Sequence, residues 1–349
     1  MRTLLLFILT CSLLNAEVSW KDARKQKASW YESKEAHNLA EKVMLYQRDN
    51  GGWPKNQDMS VKLSGDQRKK LLKQQADPGG TTIDNGATFT PLKFLIKIWK
   101  SESDPTTEAS IHCGLNFLLK SQYPNGGWPQ QPHSSGYGRH ITYNDGAMIG
   151  VMTFLRDLLE DDPAFLTDQE KAEIKSALVI GLDCILKTQI RVDGKPTIWC
   201  AQHHYKTLQP TKARSYEHAS FSGGESAGIV RYLMQIKAPS PQVRQSIEAA
   251  VAWFRAHQIN GIRIEKKNGD RVIAEDRNAK PLWARFYHLD TAKPIFSGRD
   301  GVIKYSIAEI EAERRNGYAW YVNNPRSIIE DYPKWQNHWK TKTGPLPRE

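Results

Sequence analysis

Cysteine is scarce in this chain: there are four, and one of them, Cys11, stands within the first 16 residues. The other three, Cys113, Cys184 and Cys200, cannot all pair, and no Cys-x-x-Cys or zinc-finger spacing occurs. A disulfide-dense scaffold and a dithiol redox centre are therefore excluded. Three small thiols buried in helical cores are expected, with one disulfide left open. Long apolar runs are equally rare. Residues 3–14 form the single one, behind Arg2 and ahead of Leu14-Asn15-Ala16. That is the layout of a secretory leader, too short to span a bilayer. Export through the Sec pathway to the periplasm or the medium is expected, with no integral membrane segment. Strand patterns are sparse as well. Ile262 to Ile273 alternates around Lys267-Asn268-Gly269-Asp270 and predicts one exposed hairpin. Linkers rich in proline, glycine or serine are lacking, so the leader, 1–16, is followed by a single domain, 17–349.

The chain has no acidic excess either. Its net charge is +11. A basic exported protein suits a polyanionic partner. Nucleic acid, an anionic lipid surface and an acidic polysaccharide share that chemistry. No nucleic-acid-binding motif is present, so an acidic polysaccharide is expected and nucleic acid is not. A monomer is expected.

What the chain does have is repetition. Asn50-Gly51-Gly52-Trp53-Pro54 recurs as Asn125-Gly126-Gly127-Trp128-Pro129, 75 positions on. Gln47 and Gln122 precede these loops within Gln-x-x-x-Gly-x-Trp, and Gln189 and Gln258 follow similar helices, at spacings of 75, 67 and 69. Regular spacing of this length marks repeated structural units. Helical periodicity precedes each glutamine, at 36–46, 109–120, 173–187 and 241–257. A second helix is predicted after each loop, at 88–100, 148–159, 226–237 and 306–316. Two helices per unit give an all-α architecture: an (α/α)3 toroid or barrel of helical hairpins, with short irregular or hairpin loops gathered at one end.

Chemistry-bearing residues concentrate in those loops. Thr82-Ile83-Asp84-Asn85-Gly86-Ala87 and Thr142-Tyr143-Asn144-Asp145-Gly146-Ala147 place Asp84 and Asp145 at equivalent points of successive repeats. Converging carboxylates suit Ca2+, a hard cation that takes oxygen ligands. They equally suit an acid/base pair, and a helix N-cap would explain each aspartate alone. The third repeat carries Trp199-Cys200-Ala201-Gln202-His203-His204-Tyr205 and Lys212-Ala213-Arg214-Ser215-Tyr216-Glu217. Its two histidines lack a third ligand at a metal-binding spacing. The fourth carries Arg285-Phe286-Tyr287 and Phe296-Ser297-Gly298-Arg299-Asp300-Gly301, arginines suited to gripping carboxylates.

In order and number these motifs resemble polysaccharide lyase family 10, the pectate lyases, over residues 34–325. The resemblance implies Ca2+-assisted β-elimination of polygalacturonate, giving 4,5-unsaturated oligogalacturonides. By it, Arg214 resembles the base that abstracts the C5 proton, and Asp84 and Asp145 the acids that hold Ca2+ against a substrate carboxylate. Arg285 and Arg299 match arginines that bind uronate carboxylates. Lys212, Asn85 and Trp128 complete the candidate substrate contacts, with stacking or mere packing left open for Trp53 and Trp128. Nearby cations are expected to disfavour the charged form of Arg214. The competing expectations are an inverting glycoside hydrolase using Asp84 and Asp145, and a non-catalytic binder of acidic glycans.

Overall fold

A computed structural model describes residues 18–343. The expected leader, residues 1–16 with Cys11, lies outside the described residues. Eight helices build the frame. They are α1 (Lys34–Leu45), α2 (Phe89–Ser101), α3 (Pro105–Lys120), α4 (Ala147–Asp161), α5 (Asp168–Thr188), α6 (Gly223–Met234), α7 (Pro241–Ala256) and α8 (Asn324–Thr343). The odd-numbered helices form an outer layer, in which α1 packs on α3, α3 on α5 and α5 on α7. The even-numbered ones form the inner layer, in which α2 packs on α4, α4 on α6 and α6 on α8. This is the (α/α)3 toroid, with α7 and α8 as a fourth pair.

Sequence sets the two layers apart at their first turns. Every outer helix starts at a side-chain cap. Ser33 and Asp104 accept from Ala36 and Thr107, Thr167 and Glu170 form a capping box, and Ser240 caps just before Pro241. The inner helices α2, α4 and α6 begin without a side-chain cap. Their free amide ends point toward the loop face and favour negative charge there.

The glutamine and tryptophan repeats are structural joints. Gln47 donates to its own loop at Gly51 and to Ser110 of the next outer helix, both at 3.0 Å. Gln122 does the same to Gly126 and Ala177, and Gln189 to Thr197 and Ser246. Each glutamine thus ties one unit to the next, which explains the regular spacing. Trp53, Trp128, Trp199 and Trp283 are fully buried, and each indole N–H donates to a carbonyl of the preceding outer helix. Trp199 and Trp283 are therefore the tryptophans of the third and fourth units. Gly51 and Gly126 have φ of +90° and +87°, and a Cβ there would sit 2.0 and 1.9 Å from the carbonyls of Cys113 and Ile180. Only glycine lets the loop lie flat on the neighbouring helix.

Short antiparallel pairings knit the loops together. Ile141–Thr142 pairs with Gln202–His203, Phe221–Ser222 with Phe286–Tyr287, and Trp283–Ala284 with Tyr321–Val322. A second, smaller core lies under them, built from Tyr216, Phe286, Phe296, Ile307, Tyr318 and Trp320 among others. The expected hairpin is present as β1 (Ile262–Lys267) and β2 (Asp270–Glu275), turning through Asn268 and Gly269 at positive φ.

Two expectations need correction, and one helix was not expected. The second helix of the fourth unit is not at 306–316, which holds a 3-10 turn and the short helix Ala312–Gly317; it is α8. An internal Pro333 and a dense polar surface masked its periodicity. A helix at Gly65–Gln75 buries none of its residues, so no apolar stripe announced it. Of the three cysteines, Cys184 and Cys200 are buried, but Cys113 is exposed, and all three are free. No helix among the described residues is long and apolar enough to cross a membrane.

Candidate active site

The two aspartate turns have the same backbone and different side-chain order. Each is a single 3-10 turn whose second residue is left-handed: Asn85 at φ 51°, ψ 24°, and Asp145 at φ 52°, ψ 24°. Asn85 is therefore the counterpart of Asp145, and Asp84 that of Asn144. The expected equivalence of Asp84 with Asp145 is off by one position. The first member of each pair points inward, with Asp84 and Asn144 each 3% exposed. The second points outward, and Asn85 and Asp145 are exposed. Each turn is pinned to the next loop. Ile83 N–H donates to the Gln130 carbonyl at 3.2 Å, and Tyr143 N–H to that of Ala201 at 2.9 Å. Neither aspartate caps a helix by its side chain.

Lys55 follows the first Trp-Pro and meets the buried carboxylate, its Nζ 2.5 Å from Asp84 Oδ2. Asp84 Oδ1 is buried and has no hydrogen-bond partner among the described residues. Asn144 donates to Asp145 Oδ2 at 2.7 Å and accepts from Arg285 Nη2 at 2.8 Å. Arg285 also binds Glu225 Oε1 at 2.7 Å and lies 3.5 Å from Asp145 Oδ1. Burial pushes the Asp145 carboxyl above the usual carboxylate range; Arg285 opposes this, while Glu225, Asp84 and Glu217 add to it. These acids are thus gathered around one partly exposed oxygen pair. Asp145, Glu225, Arg285, Arg231 and Asn324 line a cavity of about 400 Å3.

Arg214 stands on the third loop with its side chain 41% exposed. Its Nε donates to Glu217 Oε2 at 2.7 Å and its Nη2 to Glu217 Oε1. Glu217 is 3% exposed and accepts from the Tyr318 hydroxyl at 2.6 Å. The Arg214 guanidinium lies 4.9 Å from the Tyr216 ring and 5.7 Å from that of Tyr318, while Arg285 lies 4.5 Å from the same Tyr318 ring. Hydrogen bonding to Glu217 holds the Arg214 pKa above the ordinary arginine value, against some loss from burial. Its nearest charge is the Glu217 carboxylate, and the arginine that shares its Tyr216 ring is Arg314, at 4.9 Å from the centroid.

The remaining candidates lie further out. Lys212 is exposed on the Arg214 loop. Arg299 is exposed and paired with Glu313 at 2.9 Å, not with Asp300. Its loop abuts the Arg214 loop, with a Cβ at Gly301 reaching within 3.4 Å of the Ser215 carbonyl. Trp128 is not a substrate contact: it is fully buried and its indole is spent on Leu118. His203 is no metal ligand, because Nε2 accepts from Cys200 N–H and Nδ1 faces the Leu208 carbonyl. Burial pushes its pKa down to about 4. Among the described residues no cluster of three or more His, Cys, Asp or Glu could hold a metal. Lys55, Asn144, Glu225, Glu217 and Tyr318 were not singled out for a role from sequence. The signal for Tyr318 was the aromatic run Tyr318-Ala319-Trp320-Tyr321; Lys55 differs from its repeat counterpart Gln130.

Comparison with known proteins decides the family. The sequence profile of the pectic acid lyase family matches residues 47–329. The chain belongs to this family. It is similar to the family 10 polysaccharide lyase from Cellvibrio cellulosa, at 35% identity and a TM-score of 0.78, over 90% of this chain and 94% of that one. An aspartate-to-alanine mutant of the Cellvibrio enzyme, solved with trigalacturonic acid, matches at 34% identity and a TM-score of 0.76, over 93% and 96%. No curated protein matches. The protein is a polysaccharide lyase, a pectate lyase, which sets aside both the glycoside hydrolase and the non-catalytic binder.

Proposed function

We propose that the chain cleaves de-esterified polygalacturonate by β-elimination, with Arg214 taking the C5 proton. The C5–H bond breaks and its electrons form the C4=C5 double bond. The C4–O bond breaks in turn, and the departing glycosidic oxygen takes a proton from water. The observation that carries this reading is the brace on Arg214: an exposed guanidinium held in place by a buried carboxylate, on the face where Asp84, Asp145 and Arg285 meet. Glu217 and Tyr318 fix the direction of the base and stabilise the cation it becomes, as a carboxylate does for a catalytic histidine. The same carboxylate makes the neutral base scarce, so activity is expected to rise with pH.

Removing the C5 proton places a second negative charge beside the substrate carboxylate. Arg285 and the uncapped ends of α4 and α6 favour that charge. The orphaned Asp84 Oδ1 and the crowded Asp145 carboxylate fit a hard cation that keeps waters and substrate oxygens in its shell. Ca2+ held there would supply Lewis-acid stabilisation of the substrate carboxylate. Exposed Lys212, Arg299 and Asn85 are assigned to more distant uronate contacts. Export of the enzyme, on the leader-like pattern of residues 1–16, is part of this proposal.

The test is incubation with polygalacturonate, with and without Ca2+, followed by ultraviolet absorbance of unsaturated ends. Saturated products, or activity indifferent to EGTA, would overturn the reading.

A further inference from the structure

Segments 121–143 and 194–216 contain no aspartate and no glutamate, yet carry Arg139, Lys195, Lys206, Lys212 and Arg214. The fold joins them, because Ile141–Thr142 pairs with Gln202–His203 and Asn125 donates to the Tyr205 carbonyl at 2.7 Å. On the outer side of that pairing the rings of Tyr123, His140 and His204 gather around Tyr205, at 5.8, 6.1 and 5.0 Å. Two exposed cations rest on the same tyrosine, Arg139 at 5.3 Å and Lys206 at 5.6 Å from its centroid. Among the described residues neither forms an ion pair, unlike Arg214, Arg285 and Arg299. His140 Nδ1 is buried and has no hydrogen-bond partner among the described residues. Burial, then His204 and Arg139, push the His140 pKa down, with no carboxylate nearby to oppose them. Cations held over a ring and lacking a carboxylate keep their hydrogen-bonding edges for an incoming anion. The patch shares its two loops with the catalytic face: Asp145 follows His140 by five residues, at most about 18 Å of chain, and the N–H groups of Tyr143 and Asn144 both donate to the Ala201 carbonyl, four residues before Tyr205.

We propose that Arg139, Lys206 and Tyr205 form an accessory subsite that grips the carboxylates of a uronate chain beyond the sugars at the cleavage point. The proposal rests on the polygalacturonate reading of the cleft and adds reach to it. A long acidic chain engages the patch, whereas a trimer is held by the central cleft alone.

The test compares polygalacturonate with trigalacturonate in the wild type and in Arg139→Ala/Lys206→Ala, whose two sites are exposed. The double variant is expected to raise KM for the polymer about tenfold, the worth of one charge-assisted contact, and to leave KM for the trimer unchanged. Tyr205→Phe, which keeps the ring, should behave as wild type, and Tyr205→Ala should follow the double variant. Equal KM changes on both substrates, or none on either, would overturn the subsite. Retardation in gels containing polygalacturonate reads binding without turnover. An inactive wild type that is still retarded through Arg139 and Lys206 would sink the lyase mechanism and spare the subsite; a double variant retarded like the wild type would sink the subsite.

Discussion

Arg214 lies against Glu217 through two side-chain hydrogen bonds and one from its backbone N–H, so the half-exposed side chain of the proposed base is anchored to one of the most buried acids in the loop face. The Tyr318 hydroxyl completes the anchor by donating to Glu217 Oε1, the oxygen that also accepts from Arg214 Nη2. Glu217→Gln keeps the shape and removes the charge. Its kcat is expected to fall about tenfold or more, from loss of a charged hydrogen bond. The acid limb of its pH–rate profile should move to lower pH, because Glu217 is what raises the Arg214 pKa. A merely structural role would leave that limb in place. Tyr318→Phe should shift it the same way by less.

The same pair predicts acid sensitivity. Burial pushes the Glu217 carboxyl up, but Arg214 and Tyr318 overrule it and hold it below its ordinary value of 4.5. A carboxyl lowered on folding stabilises the protein above that ordinary value and loses this contribution as pH falls through the folded one. Thermal unfolding followed from pH 6 to about pH 3 should show a steeper loss in wild type than in Glu217→Gln. Parallel curves would contradict the lowered value.

Asp145 has the opposite sign. Its carboxyl is raised by burial and by Glu225, Asp84 and Glu217, so ionising it at neutral pH works against folding. In the presence of chelator, Asp145→Asn is expected to have the higher melting temperature. Added Ca2+ should raise the melting temperature of wild type and not of the variant. A wild type whose melting temperature ignores Ca2+ would contradict the cation site.

The tryptophan loops are predicted to matter for stability and not for substrate affinity. Trp128→Phe leaves the Leu118 carbonyl without its donor, a loss of about 1–3 kcal/mol, with KM unchanged. Gly126→Ala forces a Cβ onto a backbone carbonyl and should cost about 3 kcal/mol or more. Gly136→Ala, where the nearest atom to a new Cβ is 3.8 Å away, is the control and should stay within about 0.5 kcal/mol. Urea denaturation measures all three. A raised KM in Trp128→Phe would restore the stacking role.

The repeat was legible because its joints are made of rare residues. A glutamine, a positive-φ glycine and a buried tryptophan leave little room for substitutes, so Gln47, Gly51 and Trp53 recur visibly as Gln122, Gly126 and Trp128. The third unit keeps Gln189 and Trp199 but spaces them through a different loop, which hid their equivalence. The site was legible as motifs and not as contacts. Asp84 and Asp145 looked equivalent because Asp-Asn and Asn-Asp share a composition; only backbone angles reveal which residue turns outward. Tyr318 lies 101 positions from Glu217, and its role depends on how the last loop folds back over the third. Helix α8 was lost to periodicity because its polar composition and Pro333 broke the pattern.

The most direct test of the central claim is Arg214→Lys assayed on polygalacturonate with Ca2+, reading absorbance of unsaturated ends, beside its thermal unfolding. Product formation is expected to fall about 1,000-fold or more, because lysine lacks the two-pronged bond to Glu217 and cannot hold the base in line. Folding should be unaffected. A folded Arg214→Lys protein with wild-type turnover would contradict the account.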